Sequence, residues 1–402
     1  MSQALSPVTD AGRAAVAQAA VHANAFSKEA ANWDRAGQFP LGHVTAMQVS
    51  GLAAVTAPVS VGGGGVDQLR DLMAITATIA HGDSSMGIAL SMHLSFCWSL
   101  SRARLALPEI TAAVEALLTD VAQGRIWFCS GVTEAGTNFF HPRTTLVKVG
   151  SFWSVAGHKV FATGSPAATH LNVGARLGDR LATIVVPANA LGVEICDDWD
   201  GMGMRGSGSG QIWLREVQLD EHSIVIPGGL WGQFSAAAVQ GRAWGNLGNL
   251  AAMLGIAEAS REDALGRVQT QGRVSEAPLS ARPTVRHHLA ELDVDLAVAR
   301  AVVARIGDYG DELAARPTQD LGQALQFMVA FQEAKLALNR SATAVVDRAL
   351  DLSGGGGYRD SHGQSRRYRD VRAGGFMQPF SPQEALGFIG DVAVGVAPDP
   401  EG

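Results

Sequence analysis

The chain has 402 residues, and 31 Lys plus Arg against 38 Asp plus Glu leave a formal net charge of −7. At ~150 residues per domain this length predicts two or three domains or one composite fold, and 47% apolar with 17% charged residues is the balance of a packed protein rather than a disordered one. An acidic chain lacks the basic face nucleic acid requires, no apolar run reaches the ~20 residues of a membrane span, and the amino terminus lacks a signal peptide's basic and apolar regions.

The composition therefore predicts a soluble, cytoplasmic protein with no nucleic-acid or membrane partner. Residues 1–120 read as a helical domain, with apolar residues at three- and four-residue spacing in Ala14–Ala25 and Leu69–Ala80. Four consecutive glycines force a loop at Pro58–Gly65. Texture changes near Ile126. Residues 121–230 carry short β-branched runs at Thr145–Val149, Phe152–Val155, Ala182–Val186 and Gln211–Leu214, which predict an antiparallel sheet or small barrel. Helical texture returns in residues 231–402, with long segments at Gly245–Gln269, Thr284–Ala314 and Leu321–Leu352 that suit a bundle. The tail from Gly354 is expected to end in a mobile segment. Cys97, Cys129 and Cys196 fit no metal spacing and are too few for a disulfide framework, so no metal site is expected.

Several motifs carry chemistry. Val132-Thr133-Glu134-Ala135-Gly136 stands at the entrance to the predicted sheet, with Thr and Gly suited to a turn. In Gly157-His158-Lys159-Val160-Phe161-Ala162-Thr163-Gly164, Phe161 offers an aromatic face and Thr163 a donor. Gly203-Met204-Arg205-Gly206-Ser207 reads as structural. Arg242 and Arg267 offer guanidinium forks for phosphate or carboxylate. Gly354-Gly355-Gly356-Gly357-Tyr358, followed by Arg369-Asp370, lets backbone approach a phosphate closely.

In this order and spacing, the motifs resemble the acyl-CoA dehydrogenase superfamily over about residues 34–390. The resemblance implies an α+β fold: an N-terminal all-α domain, a middle antiparallel β domain and a C-terminal four-helix bundle. It implies FAD, with FMN as the alternative, held by Val132, Thr133, Phe161, Thr163, Arg267, Thr270, Gly354 and Gly355. It places Gly241 and Arg242 at an acyl-CoA or acyl-thioester substrate. It also implies a homotetramer, a dimer of dimers in which cofactor contacts cross between chains.

The pattern breaks at the catalytic base. The family's Glu lies a few residues after the Arg-Asp pair or on the helix carrying the first arginine, and these positions hold Gln378 and Gly241. An amide accepts no proton at neutral pH. Glu384 is the nearest carboxylate downstream. His93, with His141 and His170 behind it, is the candidate acid or base, since an imidazole titrates near neutrality. The leading expectation is a flavin oxidoreductase acting on a CH–CH bond with a non-standard base. The alternatives are a flavin-dependent monooxygenase on the same fold, or a desulfinase-like lyase or binding protein that has lost dehydrogenation.

Overall fold

The computed structural model describes residues 5–270 and 277–400. The amino-terminal helices are α1 (Asp10–Phe26), α2 (Ala30–Ala36), α3 (Leu41–Val49), α4 (Leu69–Gly82), α5 (Ser84–Ala106) and α6 (Thr111–Ala122). The strands are β1 (Phe128–Gly131), β2 (Thr145–Val149), β3 (Phe152–Lys159), β4 (His170–Leu177), β5 (Arg180–Pro187), β6 (Val193–Ile195), β7 (Ile212–Asp220) and β8 (Val225–Leu230). The carboxyl-terminal helices are α7 (Ala236–Trp244), α8 (Leu247–Thr270), α9 (Pro283–Ala315), α10 (Leu321–Leu352), α11 (Gly363–Val371) and α12 (Pro382–Ala393).

Local chemistry sets the boundaries. Asp83 breaks what would be one helix into α4 and α5, because its extended backbone lets its carboxylate accept from Ser85 N at 2.9 Å and Met86 N at 3.2 Å. In α9, Leu292, Leu296, Ala299, Val303 and Ile306 recur at helical spacing and are all buried. Strand β7 buries Ile212 and Leu214, then Val217 and Leu219. That step of three residues instead of two is taken up by a bulge opposite Val155–Gly157, with Glu216 at φ +50°.

The sheet runs β6-β7-β3-β2-β4-β5-β8, with β1 beside β4. It is not wholly antiparallel as expected. β1 pairs with β4 in parallel, and β2 touches β4 in parallel at Thr145 and Arg176. The β2–β3 hairpin between β1 and β4 gives the chain the length to return in the same direction. The sheet has its own apolar core, whereas α4 and α5 share a single core with α8, α9 and α10. Helices from both ends of the sequence therefore fuse into one layer beside the sheet.

Two motifs separate in sequence turn out to be one clamp. Arg369 forks onto Asp34, with Nη1 to Oδ1 at 2.9 Å, while Asp370 accepts from Met204 N at 2.6 Å and from the Ser84 hydroxyl. Gly203 has no alternative residue, since a Cβ there would lie 2.3 Å from the Arg369 carbonyl oxygen. Helices take up much of the tail before its last residues. It forms α11 and α12, the latter with a Ser381/Glu384 capping box, and the Pro400 carbonyl accepts from Asn138 Nδ2 at 2.6 Å.

Candidate active site

A cleft of about 320 Å³ opens where α5, α7 and the sheet meet. Ser95, Phe96 and Ser99 line it from α5, and Gly241 and Arg242 from α7. The sheet side supplies Ser130, Asn172, Gly174 and Thr183, and the loop after β1 supplies Val132 and Phe139. Among the described residues no Asp or Glu lines it.

Arg242 dominates its electrostatics. The guanidinium lies 4.8 Å over the Phe139 ring, Nη2 donates to Gln378 Oε1 at 3.0 Å, and Nε is buried without a partner. Burial pulls its pKa down to about 10. Behind Gln378 sits buried Lys335, whose Nζ donates to the carbonyls of Met377, Pro379 (3.2 Å) and Phe380 (2.6 Å). Burial, then the neighbouring Arg242 charge, pushes Lys335 down to about 8. Phe380 adopts φ +62°, a strained conformation for a bulky residue, so this turn is held by its surroundings. Ser95 Oγ and Asn172 Oδ1, both lining the cleft, are likewise buried with no partner.

The candidate residues fall into three groups. Val132, Gly241 and Arg242 line the cleft, with Gln378 joined to them through Arg242. Thr133, Phe161 and Thr163 form a second group. The Thr133 carbonyl accepts from Val160 N at 3.0 Å, and Thr163 Oγ1 lies 2.9 Å from Ser209 Oγ. Phe161 is 60% exposed at φ +55°, so strained backbone presents an aromatic ring outward. Arg267 and Gly354 make the third, since a Cβ on Gly354 would stand 4.0 Å from Arg267 Nη2. Gly355 lies beside them in sequence, and exposed Thr270 ends α8 with its hydroxyl donating to the Gly266 carbonyl at 2.8 Å.

His93 is the correction. It is fully buried, stacked at 4.5 Å on Trp127, and both ring nitrogens are committed: Nε2 to the Ala53 carbonyl at 2.7 Å, Nδ1 to Phe128 N at 3.0 Å. An N–H must accompany the first contact and a lone pair the second, which fixes a neutral tautomer. Burial, against the Ala53 bond, pushes its pKa down to about 4. It lines no part of the cleft and fastens α5 to β1. Glu384 is no substitute base: exposed, it accepts from Ser381 N at 2.5 Å as the cap of α12.

The sequence reading missed Lys335, Ser95 and Asn172. Lys335 had a signal: it falls with Phe331, Leu338 and Ala342 on the buried stripe of α10, where a charge needs a reason. Ser95 and Asn172 had none.

The fold and site define a flavoenzyme with the acyl-CoA dehydrogenase fold, and the chain belongs to the acyl-CoA dehydrogenase family. The family's N-terminal, middle and C-terminal domains match residues 11–103, 129–217 and 236–378. The amino sugar nitrososynthase DnmZ of Streptomyces peucetius is 35% identical over 401 residues, covering 97% of this chain and 95% of that protein. KijD3, solved in complex with FMN and dTDP-3-amino-2,3,6-trideoxy-4-keto-3-methyl-D-glucose, superposes with a TM-score of 0.90 at 31% identity, covering 98% of this chain and 96% of that one. Butyryl-CoA dehydrogenase from Megasphaera elsdenii shares the fold, with a TM-score of 0.82 at 20% identity over 97% of this chain and 99% of that one. No helix among the described residues is long and apolar enough to cross a membrane, and no group of three or more His, Cys, Asp or Glu could hold a metal.

Proposed function

We propose that this chain is a flavin-dependent N-oxygenase acting on the amine of a nucleotide-linked amino sugar, as its nitrososynthase relatives suggest. The observation that carries the reading is a cleft holding three unpartnered polar groups, Ser95 Oγ, Asn172 Oδ1 and Arg242 Nε, and no carboxylate. Each such group left unmet costs about 1–3 kcal/mol. An acyl chain would leave all three unmet, whereas a sugar ring carries hydroxyl, keto and amino groups that meet them. Dehydrogenation of a CH–CH bond, the first expectation, asks for an α-proton acceptor, but no Asp or Glu among the described residues lines the cleft, and the family's base position holds Gln378, an amide bonded to Arg242.

The residues present fit a flavin. An outward aromatic on strained backbone, Phe161, stands beside the Thr163–Ser209 hydroxyl pair, and nearby Trp127 Nε1 is buried with no partner. In this reading Val132, Thr133, Phe161 and Thr163 hold the ring, and Arg267, Thr270, Gly354 and Gly355 the phosphate end. The last group would serve the flavin of a neighbouring copy in a homotetramer, and a monomer by light scattering would contradict that part. Held there, a reduced flavin would supply the two electrons that N-oxygenation needs, with one atom of molecular oxygen going to the amine nitrogen and the other leaving as water. The protein's own contribution is electrostatic. The Arg242 cation, with no counter-carboxylate in the cleft, disfavours an ammonium beside it and keeps the amine neutral with its lone pair available. Phe139 and Phe96 exclude water from the same space.

The test supplies reduced FMN or FAD, ¹⁸O-labelled oxygen and a dTDP-linked amino sugar, and looks for label on the product nitrogen by mass spectrometry. Unlabelled substrate, together with anaerobic flavin bleaching by an acyl-CoA, would return the reading to dehydrogenation.

A further inference from the structure

We infer that Lys335 is a positioning residue: its ammonium fills a nest of three backbone carbonyls behind the cleft, so that Arg242 stays on Gln378 at the cleft wall instead of being drawn back onto those carbonyls. The inference rests on the function proposed above for what Arg242 does, but not for where it points. The nest lies in the turn that leads into α12. The carbonyls of Met377, Pro379 (3.2 Å) and Phe380 (2.6 Å) all accept from Lys335 Nζ, which spends the three donors an ammonium possesses. Gln332, one turn earlier on α10 and also buried, adds a donor from Nε2 to the Pro379 carbonyl at 3.2 Å. The Phe380 backbone sits at φ +62°, a conformation a bulky residue keeps only under outside constraint, and these bonds supply it.

Gln378, in the middle of the turn, gives its side-chain oxygen to Arg242 Nη2 at 3.0 Å. Among the described residues that is the only hydrogen bond of the Arg242 guanidinium; its other supports are the Phe139 ring at 4.8 Å, and Nε is bare. A cation held by one hydrogen bond and a ring face is aimed by little, so its direction depends on what else nearby attracts it. Three carbonyl oxygens converging on one point make a cation site, and without Lys335 the neighbouring guanidinium is the cation at hand. Lys335 occupies that site and repels its neighbour. Burial first, and then the Arg242 charge, lowers the Lys335 pKa to about 8. Glu384, whose charge acts in the opposite sense, is exposed and accepts from Ser381 N as the cap of α12. A neutral side chain does not bring three donors on one atom. Methionine at this position would leave the nest empty, whereas arginine would fill it.

The first step of the test needs no substrate. Crystal structures of the full-length, flavin-loaded protein as wild type and as Lys335→Met should differ at Arg242, whose guanidinium leaves Gln378 for the emptied carbonyls. An unchanged Arg242–Gln378 contact in Lys335→Met overturns the inference, whatever reaction the cleft performs. Kinetics with the dTDP-linked amino sugar follow. Lys335→Met should lower kcat about tenfold with KM within about threefold, and Lys335→Arg, which returns a cation to the nest, should recover kcat to within about threefold of wild type. In the Arg242→Leu background, Lys335→Met should change kcat/KM by less than about twofold, because its effect passes through Arg242. Losses that multiply across the two sites, or a Lys335→Arg variant as poor as Lys335→Met, make Lys335 a packing residue and overturn the inference. Where Lys335→Met does not fold, Gln378→Ala cuts the same link from the other end: kcat should fall about tenfold, and a wild-type kcat in that folded variant is the contrary result. No labelled product from wild type removes the proposed function and leaves the two crystal structures to decide the placing of Arg242.

Discussion

Two regions of this protein bury a lysine, and they treat it differently. In the sheet, Lys159 is fully buried and its Nζ meets Glu134 Oε1 and the Gly174 carbonyl, each at 2.6 Å. Glu134 is saturated in turn by the backbone N–H groups of Arg143 at 2.7 Å and Thr144 at 3.1 Å. Beneath the cleft, Lys335 is buried against three carbonyls with Arg242 nearby; among the described residues no carboxylate is hydrogen-bonded to either, and the Glu384 charge only partly offsets the downward push on Lys335. The first arrangement cancels its own field. The second leaves Arg242, on the cleft wall, with no counter-carboxylate among the described lining residues, in a protein of net charge −7. A protein that neutralises one buried cation so completely and leaves another open has placed the second where a ligand or an unprotonated amine has use for it.

Breaking the closed pair should give the largest effect. Glu134→Ala strands Lys159 without its counter-ion, and a loss of about 3–5 kcal/mol is expected in urea unfolding. Retained stability would mean the pair is ornamental and the contrast empty.

The open site should respond to pH. Lys335 titrates at about 8 in the folded protein against an ordinary 10.5, so between those values the unfolded chain binds more protons and stability rises with pH. The rise reaches about 3 kcal/mol at 1.36 kcal/mol per unit, and below pH 8 it is absent. Lys159 contributes with the same sign, so the measurement is the difference between wild type and Lys335→Met. Parallel stability profiles for the two proteins would sink the assignment.

Arg242→Leu sharpens the comparison from the other side. Removing an uncompensated, partly buried charge should leave stability within about 1 kcal/mol of wild type or raise it. Amine oxygenation should fall by about 10²-fold in kcat/KM, the scale of losing one preorganised donor. A variant that unfolds readily, or that keeps full activity, would contradict it. The smallest change is Gln378→Glu, which brings a carboxylate to Arg242 and turns the open site into a closed one. We expect about a tenfold loss of amine oxygenation as the substrate ammonium becomes favourable, with an acidic limb moved upward in the pH–rate profile.

Much of the fold was legible because helix and strand periodicity are local. Leu321–Leu352 is helical over the predicted span, and Thr145–Val149 is a strand over its predicted one. The sheet's parallel pairing was not legible, because the choice of β4 as partner for β1 depends on where the β2–β3 hairpin folds back. The candidate site was read in part. Arg242 and Gln378, 136 residues apart, were each singled out, but their 3.0 Å contact came only with the coordinates. His93 shows the opposite error. Its residue type suggested proton transfer, and only burial with both nitrogens engaged revealed a fastener.

By itself, then, the sequence determined the order of helical and sheet segments, the family they belong to, and the missing carboxylate, because periodicity, glycine tracts and the identity of a residue at a motif position are properties of the chain alone. Tertiary structure decided which polar groups of the cleft are left without partners: Ser95 Oγ, Asn172 Oδ1 and Arg242 Nε. A group is unpartnered only relative to everything folded around it, and no local pattern encodes that.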